Sequence, residues 1–448
     1  MNRLLLPLSS LLSGVGLLVV GVGLLFSVVG LRGGMADFSS VVLGLVMSAY
    51  FVGFVFGTYV CPMIIRRVGH IRAFAAMASL ASTMPILHAL WVDPWFWGLL
   101  RFITGVCLVG LYIVVESWLN TVAPTRHRGR VFAVYMSVNF VALALGQWLI
   151  LVGDTLGFVP FVLVSVMFSF ALLPITLTPV DEPEPVEAPR LSLRYLYQTS
   201  PLGVAGALGS GLINGAFYGM GAVFAQGVGF SEAGVAAFMA ATILGGAIFQ
   251  WPVGHYSDRH DRRHVLLWVM VLSALLAVTA FLLARHAPWL VIAIGLLFGG
   301  LVFTIYGLSV AHVNDMVDAS RVLEVTGGLL LVHGIGAALG PTLAGVFMDA
   351  LQAESLMLYF AVVLMLLSLY AVKRIRAAAP VPEAEKFDFV MMGSGSQAVL
   401  HLDPRAAVSE TPVPPSAPQA TDDGAAAADA AGHPPAADRP AGADLKQP

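Results

Sequence analysis

The chain has 448 residues, 58% of them hydrophobic and 11% charged, with a formal net charge of −3. A soluble chain carries about 25% charged residues, so this composition cannot cover a soluble surface and excludes the multi-domain soluble protein its length would otherwise suggest. It reads as an all-α polytopic membrane protein, and the small net charge decides little because the acids gather in a linker and a tail.

A bilayer core about 30 Å thick needs about 20 apolar residues in a helix, and that ruler yields twelve spans. Span 1, at 8–31, carries no ionisable residue. It is too long and uninterrupted for a removable signal peptide, and no small-residue cleavage site follows it. Span 2, at 41–64, runs into PMIIRRVGHIR, Pro62 to Arg72. Span 3 lies at 73–92. Cys61 and Cys107 fall inside apolar segments without disulfide or metal-ligand spacing, and are read as small buried apolar residues.

Span 4, at 95–119, is the most informative. Arg101 lies about six residues inside it, and such a charge is costly unless it faces a cavity or a partner. Snorkelling to the nearer surface is the alternative. The helical stripe through Arg101 takes in Gly105, Leu108 and Tyr112. Tyr112 is thereby a cavity candidate, about 16 Å along the axis. Glu116 stands one turn further on, about 22 Å from Arg101, too far to pair with it. Glu116 is a candidate proton carrier, or an ion-pair partner for Arg66, Arg67 or the 126–130 loop.

Span 5, at 131–153, carries Asn139 near mid-depth, and span 6 lies at 157–178. The stretch TPVDEPEPVEAPRLSLRYLYQTSP is rich in Pro and Glu and reads as an exposed linker over 179–201. Spans 7 to 12 follow at 202–226, 232–254, 264–284, 288–312, 322–348 and 354–373. Asn214 and Tyr218 on span 7 and His333 on span 11 share the depth of Asn139. Buried polar groups without partners are expensive, so a ring of them from both halves fits a substrate cavity. Helix-to-helix hydrogen bonding is the plainer reading of each. His333 is also a proton-coupling candidate. Residues 376–448 read as a largely disordered tail. Within it, EKFDFVMMGSGSQAVLHLDPR has enough apolar content for docking on the membrane-proximal face to stand as an alternative.

Lys and Arg fix the expected orientation. With the N-terminus inside, Arg3, Arg66, Arg67, Arg72, Arg126, Arg128, Arg130, Arg190, Arg194, Arg259, Arg262, Arg263, Arg321, Lys373, Arg374 and Arg376 are all inside. Only Arg32 and Arg285 are outside. Both termini are expected in the cytoplasm. Internal repetition follows from offsets. At 192 residues, Phe38, Met47 and Gly53 meet Phe230, Met239 and Gly245. At 194, Trp95, Gly105, Tyr112, Asn120, Asn139 and Gly146 meet Trp289, Gly299, Tyr306, Asn314, His333 and Gly340. An even number of spans per copy gives two parallel six-helix repeats, 1–178 and 202–375.

The run GHYSDRHDRR between spans 8 and 9 brings a family into view. Gly254, Asp258, Arg259, Arg262 and Arg263 match the form G-x-x-x-D-[RK]-x-G-[RK]-[RK], with Asp261 in place of the second glycine. Arg67, Gly69 and Arg72 keep a trace of it between spans 2 and 3. Arg101, Gly105 and Gly110 in RFITGVCLVG outline a second motif. A Gly-Pro-rich stretch, GIGAALGPTLAG, stands on span 11 rather than on span 5, where this chain has ALGQW. Together these resemble the major facilitator superfamily over about residues 1–376. The resemblance implies a secondary transporter working by alternating access, and favours export of a metabolite or drug-like compound; proton coupling is an expectation that rests on Glu116 and His333 themselves. Uptake, facilitated diffusion and a transporter-like receptor remain as alternatives.

The charged turn also has a physical reading. Asp258 and Arg259, with Gly254, Arg262, Arg263, Arg67 and Gly69, form a candidate conformational latch joining neighbouring helices by charge-assisted hydrogen bonds. Solvated, topology-setting loops are the alternative. No GxxxxGK[ST], HExxH or paired CxxC is present, so no enzyme, metal or cofactor is expected. The expected partners are a small-molecule substrate, protons and the lipid bilayer, not nucleic acid. A monomer in the bacterial inner membrane is expected.

Overall fold

A computed structural model of the chain describes residues 2–123, 128–155, 157–178, 183, 193–318, 321–377, 386, 389 and 390. Most of the linker, most of the tail, Arg126 and Arg190 lie outside the described residues. The first half comprises α1 (Asn2–Met35), α2 (Ser40–Val68), α3 (His70–Leu90), α4 (Pro94–Val122), α5 (Arg128–Trp148) and α6 (Val159–Thr176). A short α7 (Leu193–Thr199) precedes the second half. There α8 (Pro201–Gly227), α9 (Glu232–Asp258) and α10 (Arg262–Leu283) are followed by α11 (Pro288–Val302) and α12 (Thr304–Asn314). The half closes with α13 (Val322–Leu351) and α14 (Ser355–Ala377). Among the described residues, twelve segments are long and apolar enough to cross a membrane, α11 and α12 forming one of them. The chain is a multi-pass membrane protein, and the expected spans fall within a few residues of the observed ones.

The helix starts follow local chemistry. Ser39, Asp93, Ser200 and Ser231 each accept a backbone N–H from the first turn of α2, α4, α8 and α9. Proline follows the cap directly at Pro94 and Pro201, where its missing N–H costs nothing. Between α2 and α3 the chain turns at Gly69, whose φ of 86° favours glycine. The tenth span breaks at Phe303, whose carbonyl accepts Gln250 Nε2 at 3.4 Å. A side chain inserted beside the helical ladder in this way accounts for the interruption.

The duplication is legible in the packing. A Cβ on Gly53 or Gly105 would collide with the backbone carbonyl of Phe102 or Tyr50, across the α2–α4 contact. Their repeat partners Gly245 and Gly299 meet the carbonyls of Leu296 and Thr242 across α9–α11 in the same manner. Gly146 against Val20 and Gly340 against Leu212 repeat the pattern for α5–α1 and α13–α8. Small residues let helix backbones approach where no hydrophobic force separates protein from lipid. The glycines recur because each half uses the same close crossings. The turns α2–α3, α9–α10 and α12–α13 share one end of the bundle with the start of α1 and the end of α14; this is called the charged end, and the opposite end the far end.

Candidate functional site

A cavity of about 150 Å³ lies between the halves, lined from α1, α2, α4 and α5 on one side and α8 and α13 on the other. Aromatic rings dominate its wall. Phe26, Phe51 and Tyr218 cluster with centroids 5.8–5.9 Å apart, and Tyr50 stands edge-on to Phe26 at 4.9 Å.

The structure brings most of the expected site residues together here. Tyr112, Asn139, Asn214, Tyr218 and His333 all line the cavity. Asn139 Nδ2 donates to the Tyr135 carbonyl at 2.8 Å, and His333 Nδ1 lies 2.9 Å from Ser210 Oγ. The Tyr306 ring sits 4.7 Å from that of His333. Asn214 Oδ1 is buried without a hydrogen-bond partner.

One expected cavity residue, Arg101, and the proton-coupling candidate Glu116 lie off the wall. Arg101 is fully buried and does not snorkel. It is not on the cavity wall either. Its guanidinium lies behind Phe26 and Tyr50, with Cζ 4.5 and 4.7 Å from their centroids. Glu116, also fully buried, is likewise one layer back. Tyr135 Oη, from a residue on the wall, donates to Glu116 Oε1 at 2.6 Å. Sequence reasoning missed Tyr135, although it stands one helical turn from Asn139 on the same face.

The charged turn requires a correction. Gly254 to Asp258 are the last turn of α9, not loop. Asp258 pairs with Arg262 at 3.0 Å, and Arg262 also binds Asp315 at 2.7 Å and Ser257 at 3.0 Å. The cluster therefore ties α9, α10 and the end of α12 within one half. Arg259, expected with Asp258 in the latch, is exposed, and no ion pair to it is found among the described residues. Arg67 is exposed in the same way, and Gly69 serves the turn.

Asp261, which replaces the motif glycine, caps α10 and receives Arg263 through both Nε and Nη2. Burial alone would raise its carboxyl. The bonds from the Arg263 side chain and backbone outweigh that and hold it at about 2. Two described residues of the tail reach this surface. Phe389 N–H donates to Asp258 Oδ1 at 2.9 Å, and Lys386 Nζ to the His260 carbonyl at 2.7 Å. The Phe389 ring fills the space a Cβ on Gly254 would occupy. Removing one member of a buried ion cluster strands the others, at a cost of about 3–5 kcal/mol. Arg262→Ala is thus expected to lower the melting temperature of the purified protein sharply, and Arg259→Ala to leave it nearly unchanged. Differential scanning fluorimetry of the two variants checks this.

At the far end the halves meet directly. Asp349, near the end of α13, accepts the N–H groups of Ser40 and Val41 at 2.7 and 3.1 Å. A carboxylate on exposed helix N–H groups is a favourable charge–dipole contact. Ser48 and Thr342 hydroxyls lie 2.8 Å apart across the same interface. Gly345 and Gly44 let α2 and α13 touch at backbone level, against Ser40 and Pro341. Thr155 Oγ1, in the turn before α6, donates to Glu232 at the start of α9, adding a further inter-half contact. Sequence reasoning placed the latch at the charged end and overlooked this seal.

Comparison with known proteins agrees with the geometry. An uncharacterized MFS-type transporter of Enterobacter sp. (strain 638) is 33% identical over 316 residues, covering 68% of this chain and 80% of that protein. The uncharacterized MFS-type transporter YcaD of Salmonella arizonae is 28% identical over 362 residues, covering 79% and 92%. Among solved structures, the nucleoside transporter NupG superposes with a TM-score of 0.69 at 13% identity, covering 82% of this chain and 98% of that one. An inward-facing, occupied bacterial homolog of the human lysosomal transporter Spinster gives 0.67 at 15% identity, covering 85% and 97%. These two likenesses speak for the fold alone. The sequence profile of the Major Facilitator Superfamily matches residues 8–246 and 202–402. Twelve helices in two matching halves, a cavity between them and a profile matching both halves lead to one conclusion: the chain belongs to the Major Facilitator Superfamily.

Proposed function

We propose that this chain is a secondary active transporter that exports a small molecule by alternating access, coupled to protons. It works as a monomer in the bacterial inner membrane with both termini cytoplasmic. The observation that carries the reading is a cavity between two repeats whose far end is sealed by inter-half contacts, at Asp349 above all. Rocking of one half against the other would break that seal and expose the same cavity to the other side.

The cavity volume of about 150 Å³ resembles that of a benzene-sized site and falls below the range of about 300–1,000 Å³ for drug-sized ligands. This favours a small metabolite over a bulky drug. The hydrogen bond from Tyr135 to Glu116 supports coupling, since it connects the cavity wall to a buried acid. The resemblance drawn from the charged turn and span 4 favours export.

The test begins with metabolite profiling of cells that overexpress or lack the protein. Flux of the accumulated compounds is then measured in energised proteoliposomes with an imposed pH gradient. Export that collapses with the gradient is expected. Ligand binding without flux in either direction would sink the transporter reading in favour of a receptor.

A further inference from the structure

We infer that the substrate class of this cavity is small organic anions, monocarboxylates with a compact apolar body, and that Arg101 is the group that selects them. The inference rests on the transporter reading only for the word substrate. The anion site itself follows from the chain's charges.

An arginine cannot shed its proton inside a protein, so the charge of Arg101 persists wherever the side chain is placed. Here it is fully buried, and its Nε, Nη1 and Nη2 have no hydrogen-bond partner. The faces of Phe26 and Tyr50 offer it cation–π contact. That contact leaves all five N–H donors unmatched.

Among the described residues, no acid forms an ion pair with it. The described helices hold five acids: Glu116, Glu232, Asp258, Glu324 and Asp349. These bind Tyr135, Thr155, Arg262, Arg321 and the α2 N-terminus. The internal duplication does not account for the cation, because the repeat-equivalent residue is Gly295.

What separates Arg101 from the cavity is a pair of rings set edge-to-face, both of them on the cavity wall. Ring rotation requires no backbone movement. It would let a carboxylate reach the guanidinium fork, which matches that group in a bidentate manner. The apolar body would then lie among Phe51, Phe54 and Tyr218, with the Asn214 amide placed for a polar substituent. The cavity volume limits that body to about one ring. An inside-negative membrane potential favours the exit of an anion, which agrees with the export direction proposed above.

The test uses the full-length protein in nanodiscs. The probes are benzoate, phenylacetate and 3-phenylpropanoate, each against its primary amide and its amine. Thermal shift and microscale thermophoresis read binding. At least one acid is expected to bind saturably, with its amide and amine at least tenfold weaker. Arg101→Gln should weaken acid binding at least tenfold and Arg101→Lys by less. Replacing a buried unpaired charge by a neutral side chain is not expected to cost folding, and the melting temperature without ligand verifies this. The inference is overturned if no acid binds, if amides or amines bind as well as acids, or if Arg101→Gln binds acids like the wild type.

Flux separates this inference from the transporter reading. Transport confined to neutral or cationic compounds and indifferent to Arg101→Gln overturns the anion class while leaving transport intact. Selective binding of acids without flux does the reverse.

Discussion

Gly345→Val is expected to hold the far end open and reduce transport by roughly 10- to 100-fold while the protein still folds. A Cβ at this position would stand well inside contact distance of the Ser40 carbonyl oxygen and close to the Val41 Cα. Both are backbone atoms of α2, so the clash cannot be relieved by a rotamer change. Overpacking of a tight contact costs about 1–3 kcal/mol. The cost falls only on the closed arrangement, because Gly345 packs against α2 in the other half of the molecule. The equilibrium therefore shifts toward the state open at the far end, by about tenfold for each 1.4 kcal/mol. Asp349→Asn is expected to act in the same direction and more weakly, since it removes a charge at a helix N-terminus worth about 0.3–1 kcal/mol. Single-turnover flux with each variant gives the comparison. A Gly345→Val protein that transports at the wild-type rate would show that this interface never separates during the cycle.

The second large effect is expected at Glu116. Glu116→Gln keeps the shape and a hydrogen-bonding oxygen for Tyr135 but removes the proton-binding site. Gradient-driven accumulation should be lost and downhill exchange retained. Tyr135→Phe removes the donor that reaches Glu116 from the cavity wall. A hydrogen bond to a charged group is worth about 1.5–3 kcal/mol, so coupled flux should fall by about 10- to 100-fold. His333→Gln tests the other half, where Ser210 holds the ring in place. These rates are read in proteoliposomes across a series of imposed pH gradients. If Glu116→Gln and His333→Gln both keep the full pH dependence, proton coupling through these residues is wrong. A facilitator driven by the substrate gradient then takes its place.

The fold was legible because membrane physics leaves few options. Span length follows bilayer thickness, and glycine at a repeating offset follows from two halves that share the same close crossings. Gly53 with Gly245 and Gly146 with Gly340 were readable as matched letters before their carbonyl contacts were known. The cavity residues at mid-depth were legible for a related reason, since polar groups there are costly and therefore few.

Partnerships were not legible. Asp258 binds Arg262, the first residue of α10, while the adjacent Arg259 is exposed in the turn after α9 ends at Asp258. Asp349 stands one residue past the expected end of span 11, and its partners are backbone N–H groups more than 300 residues away. Backbone donors leave no trace in a sequence pattern. Arg101 was expected on the cavity surface. Its position behind Phe26 and Tyr50 depends on how two aromatic side chains fill space, which helical periodicity cannot express.

The central claim is that the two halves rock about the cavity, opening one end as they close the other. Distances between paired spin labels at both ends test it most directly. Val92→Cys with His286→Cys reports on the far end, and Arg72→Cys with Arg259→Cys on the charged end, in a chain whose buried Cys61 and Cys107 are replaced by alanine. All four labelled positions are exposed. Introducing Gly345→Val is predicted to lengthen the far-end distance and shorten the charged-end distance together. Two distance distributions that stay unchanged, or that lengthen at both ends at once, would contradict alternating access in this protein.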